Sequence, residues 1–180
     1  MLQRAKRQRA VTKPNRVIRQ HGPVAKTLHW GFIAVFLYGL SKQLDELEEL
    51  ADPALLHDEM IFGAFFMLLL VARFWYMRTN SPSALPDTAP RQMKTASQAV
   101  HLGMYCCLAM IPLTGLGIGG LYWSGVQSGT LMAGLLLAHE VFVHASFFLI
   151  SAHIAAALYH RKHRDGIWDS MVPLFREPAK

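Results

Sequence analysis

Four apolar runs, about Val24 to Leu44, Ala54 to Met77, Ala96 to Leu121 and Leu131 to Tyr159, divide most of this 180-residue chain among themselves. Each reaches the ~20 residues that a helix needs to cross the hydrocarbon of a bilayer. Lipid offers no water to satisfy a free amide or carbonyl, so a spanning segment closes its hydrogen bonds internally, as a helix. The sequence therefore predicts an all-α fold, an integral membrane up-and-down four-helix bundle. A hydrophobic content of 52% and a mean hydropathy of +0.22 agree with this. The first run has a short uninterrupted apolar core, Leu28 to Leu40; Trp30 and Tyr38 serve it as interfacial anchors, and Lys42 snorkels toward a surface.

Charge sets the expected orientation. Arg4, Lys6, Arg7, Arg9, Lys13, Arg16, Arg19 and Lys26 precede or open the first run. Arg78, Arg91 and Lys94 lie between the second and third, and Arg161, Lys162, Arg164, Arg176 and Lys180 follow the fourth. The connection between the first two runs is acidic, and the one between the last two is uncharged. By the positive-inside tendency both termini are cytoplasmic. Residues 1–23 then form a basic cytoplasmic segment, 24–160 the bundle, and 161–180 a basic cytoplasmic tail. The net charge of +6 is accounted for by topology and anionic lipid, so no nucleic-acid partner is expected. No small-x-small site follows the first run, which favours a retained helix over a cleaved leader. Cys106 and Cys107 are neighbours, a spacing that suits packing rather than metal ligation or a disulfide framework.

Ionisable side chains inside a bilayer are costly, and the apolar runs of this chain contain histidines. His139 and His153 are 14 residues apart, about 1400° around a helix, so they leave one face within about 40° of each other and roughly 21 Å apart in depth. Up-and-down topology places His29, His101 and His153 at an inner, cytoplasmic level, and His57 and His139 at an outer one. Two imidazoles at each level suit two b-type haems with bis-histidine ligation, paired His29 with His153 and His57 with His139. Of the three inner histidines only two can be axial. Iron so ligated has no free position and passes single electrons. His144 points about 140° away from His139, which suits packing. His160 lies near enough to hydrogen-bond a haem propionate, as do Arg73 and Arg161; ordinary positive-inside charge explains them equally well.

The chain resembles the bacterial cytochrome b561 family from about Ala25 to Pro173. The resemblance rests on the pair His29-Trp30, on His101, Tyr105, Pro112 and Gly115, and on His139-Glu140. Its most specific part is His153-Ile-Ala-Ala-Ala-Leu-Tyr-His160 followed by Arg164-Asp165-Gly166 and Ser170-Met171-Val172-Pro173. The family implies a diheme cytochrome of the bacterial inner membrane with axial ligands on the first, second and fourth helices. That carries over to His29, His57, His139 and His153, and leaves His101 out. One departure stands out: the family's helix-two histidine precedes a glycine by four residues and an arginine by fourteen. Here Gly63 and Arg73 follow His57 by six and sixteen. Strict alignment puts Glu59 at the ligand position, so either the helix start carries a bulge or the outer haem is ligated differently.

The expected function is electron transfer across the membrane between an external donor and the ubiquinone pool, the quinone being implied by the resemblance. Superoxide is an alternative donor. Asp45, Glu46, Glu48, Glu49, Asp52, Asp58 and Glu59 make up seven of the twelve acidic residues and gather near the outer level, a field that steers in a basic soluble donor. An alternative is an electron-carrying membrane anchor for a separate soluble dehydrogenase or reductase, compatible with the lack of a nucleotide-binding glycine motif. A carboxylate di-iron bundle ranks last, because the Glu-x-x-His ligand pairs are missing.

Overall fold

The protein is described here from a computed structural model over residues 21–42, 47–80, 85 and 89–173. Most of the basic N-terminal segment, Asp45 and Glu46 in the acidic connection, and Arg176 and Lys180 in the tail lie outside the described residues. Four long helices carry the rest: α1 Pro23–Ser41, α2 Pro53–Asn80, α3 Arg91–Trp123 and α4 Thr130–His163. A 3-10 turn, Leu47–Ala51, leads into α2, and a short helix, α5 Ile167–Met171, follows α4. All four long helices have the length and apolarity to cross a membrane.

The helix ends follow local chemistry. Pro23 and Pro53 open their helices, where a missing amide hydrogen costs nothing. Pro112, by contrast, sits buried within α3. Close by, the Thr114 hydroxyl lies 2.7 Å from the Met110 carbonyl and 3.0 Å from that of Ile111, the kind of side-chain contact that helps a spanning helix tolerate a proline. After α4 the backbone turns through left-handed Arg164 (φ 50°) and Gly166 (φ 86°), which reverses the chain into α5. The helices outrun the apolar runs at most ends, with α2 reaching Asn80, α3 starting at Arg91 and α4 ending at His163. Hydropathy marks only the lipid-facing length, whereas the hydrogen-bond ladder continues into the interface. For the same reason residues 161–180 are not simply a tail: they include the last turn of α4 and the whole of α5.

Successive helices pack side by side, α1 on α2, α2 on α3 and, most extensively, α3 on α4. Their directions alternate: His29 near the start of α1 meets Arg73 near the end of α2, while a Cβ on Gly39 near the end of α1 would meet Phe62 near the start of α2. The two ends of the described chain come together, the His21 amide donating to the Ser170 carbonyl at 3.3 Å. The core divides in two by depth. Phe32, Phe66, Leu70 and Leu108 pack in the half nearer the chain ends, and Leu50, Leu56, Ile118 and Met132 in the other. Outside, large apolar side chains face away from the bundle, Leu68 and Trp75 each 70% exposed and Phe148 74%. A surface of that kind belongs in lipid.

Candidate cofactor sites at two depths

Toward the chain ends, four helices contribute to one cluster. Arg73 of α2 donates from Nη2 to His29 Nδ1 of α1 at 2.9 Å and from Nη1 to the Tyr105 hydroxyl of α3 at 3.1 Å. Its guanidinium also lies over the Phe32 and Tyr105 rings, 5.4 and 5.3 Å from their centroids. The Arg73 Nε is buried and has no hydrogen-bond partner among the described residues. His153 of α4 meets His101 of α3 edge to face, with ring centroids 5.0 Å apart. His101 donates from Nδ1 to the Ser97 carbonyl, 2.6 Å away on its own helix, and is exposed. An imidazole that accepts from arginine at Nδ1 carries its proton on Nε2, so His29 ligates through Nε2 only after exchanging that partner. His21, just before α1, is also drawn in: burial, then the Lys26 ammonium and His101, hold its imidazole below its ordinary value.

At the opposite end, His139 of α4 borders a cavity of about 380 Å³ between α1, α2, α3 and α4. The Thr114 Oγ1 of α3 lies 3.0 Å from His139 Nδ1. A single hydroxyl hydrogen directed to the Met110 carbonyl leaves that oxygen to accept from Nδ1–H, so the lone pair of His139 resides on Nε2. Ligating histidines are held in this way. The walls are aliphatic and aromatic, with Gly39, Gly63, Gly115 and Gly119 among them. A Cβ at Gly115 would stand 3.5 Å from His139 Cε1, so glycine keeps the space beside the ring clear.

The structure brings His29, Arg73, His101 and His153 together and sets His139 apart at the other level, as the 14-residue spacing requires. It does not bring His57 to His139. The His57 side chain is 61% exposed, its Nδ1 lies 3.8 Å from Asp58 Oδ1, and it does not line the cavity. Glu59 does. His160 is half-buried with Nδ1 2.6 Å from Asp165 Oδ2, a contact made within the turn after α4. Arg161 stacks its guanidinium 4.7 Å from the Trp168 ring centroid. Cys106 faces outward and Cys107 is buried. Thr114 and His21 went unnoticed in the sequence, the first because a lone threonine in an apolar helix carries no pattern. No cluster of three or more His, Cys, Asp or Glu residues able to hold a bare metal ion occurs among the described residues.

Four helices able to cross a membrane, with imidazoles from three of them at one depth and His139 beside a cavity at the other, form a scaffold of the membrane cytochrome b class. Residues 20–174 match the family model described as prokaryotic cytochrome b561, and the chain belongs to that family. It is also similar to cytochrome b561 homolog 1 of Escherichia coli (strain K12), with 30% identity over 111 residues, 54% of this chain and 62% of the relative. The match thus spans less than two thirds of that curated relative. No solved structure matches the chain.

The family implies haem b, and the residues present fit it. At the chain-end level the buried Arg73 guanidinium, its Nε without a partner among the described residues, lies against His29, a setting that suits an anionic propionate. At the other level glycines clear a space next to an imidazole whose free nitrogen is Nε2.

Proposed function

We propose that this protein carries electrons across the bacterial inner membrane through two b-type haems, from a donor at the outer face to the ubiquinone pool, with both termini in the cytoplasm. The observation that carries the reading is the disposition of imidazoles along α4. His153 meets the His29–Arg73–His101 cluster at one depth, and His139 borders a glycine-lined cavity roughly 21 Å away along the helix. Haem supplies one-electron redox chemistry in a medium that electrons do not cross alone. The chain's own residues do the rest. His29 and His153 would hold the inner haem, whose chemistry between two imidazoles would be the passing of single electrons. Arg73 balances carboxylate charge in the apolar interior. His139, turned by Thr114, would hold the outer haem beside the cavity. The two apolar clusters keep water from the space between.

Lipid and quinone are the partners this reading requires. The outer donor is cationic, such as a basic soluble cytochrome: Glu48, Glu49, Asp52 and Asp58 gather at the His139 end and oppose the approach of small anions such as superoxide. A pyridine haemochrome assay with a reduced-minus-oxidised spectrum tests the core of the reading. Two haems per polypeptide are expected, with His153→Ala removing the inner and His139→Ala the outer. A colourless protein from haem-replete cells overturns it.

A further inference from the structure

Helix α2 is continuous from Pro53 to Asn80, with no bulge to move His57 inward. Its phase is fixed by Arg73, whose guanidinium demonstrably enters the bundle between His29 and Tyr105. Counting back at 100° per residue, Phe66 and Phe62 fall within about 20° of Arg73 and Glu59 within about 40°. Phe66 is buried, and Phe62 packs against it in the core, as that phase demands. His57 falls about 160° away, on the opposite face, in agreement with its exposure. Met60, about 140° away in phase, also lines the cavity, its uncharged thioether packed against α3 with Sδ 3.4 Å from where a Gly119 Cβ would stand. Among the residues lining the cavity, Glu59 and His139 alone bear ionisable side chains.

We infer that Glu59 supplies the second axial ligand opposite His139, so that the outer haem of this chain is held by one imidazole and one carboxylate. The inference rests on the proposed haem function and deepens it. A carboxylate is a hard, anionic, weak-field ligand that prefers ferric to ferrous iron. In a haem reduced by dithionite the carboxylate would be the weaker ligand, and carbon monoxide, donating its carbon lone pair, would displace Glu59 as the free carboxylate anion. The inner site, closed by two imidazoles, stays inert.

The test uses the full chain in detergent or nanodiscs. Two haems per polypeptide are expected, one low-spin and one high-spin in the ferric state, with carbon monoxide binding to half of the reduced haem. Glu59→His should turn the second haem low-spin and lower carbon monoxide binding at least tenfold, and His57→Ala should leave both properties as they were. Two haems that are both low-spin and inert to carbon monoxide overturn the inference while sparing the two-haem reading. So does a change of spin state in His57→Ala. A single haem untouched by His139→Ala removes the outer site altogether, and no haem at all removes the reading beneath it.

Discussion

At the scale of single residues, Thr114 decides which nitrogen of His139 faces the cavity. Partners of this kind typically contribute 10- to 100-fold in affinity for the bound metal group, by about that factor when they are removed. Thr114→Val should therefore lower occupancy of the outer haem by roughly 10- to 100-fold in a haem titration, and Thr114→Ser should retain it. Arg73 acts on the inner level through charge. Its cation favours the reduced form of a nearby centre, so Arg73→Gln should lower the inner midpoint potential in a redox titration, each 1.4 kcal/mol of lost interaction reading as about 59 mV. The imidazoles of α4 were legible because helical phase depends only on spacing. The same arithmetic, applied from Arg73 back along α2, separates Glu59 from His57 once Arg73 is known to point inward. Thr114 was illegible because its partner lies 25 residues on, in another helix.

At the scale of helices, close approach depends on glycine where aromatic rings crowd. A Cβ on Gly39 would come within 2.8 Å of the Phe62 ring, which is itself wedged against Tyr38 and Phe66. Gly31 on the same helix has nothing within 4 Å of such a Cβ. Overpacking of this kind costs about 1–3 kcal/mol. Gly39→Val should lower the thermal midpoint in detergent and shrink the outer cavity, while Gly31→Val leaves both near their starting values. The four spans could be read from hydropathy, but α5 could not. It docks through main-chain carbonyls, Asp169 accepting from Lys26 Nζ at 3.0 Å and Met171 from Trp30 Nε1 at 3.3 Å, and a carbonyl has no signature in sequence.

At the scale of the whole molecule, the proposed function makes the acidic end the place where a charged donor would arrive. Screening length is about 10 Å at 0.1 M salt, so steering by surface carboxylates fades as ionic strength rises. Reduction by a basic soluble cytochrome should slow with added salt, whereas an anionic donor should speed up; a stopped-flow series in salt distinguishes them. The joining of His21 to Ser170 at one end of the bundle has a further outcome. Because neighbouring helices are linked in a near-closed circuit, a linker from Pro173 back to His21 would seal the ring, and the turn at Ser124–Gly129 could be cut instead. Such a circular permutant keeps every helix beside its present neighbours. Its new ends, however, emerge on the far side of the bilayer, so adjacency within the ring, not the point at which translation begins, defines this architecture.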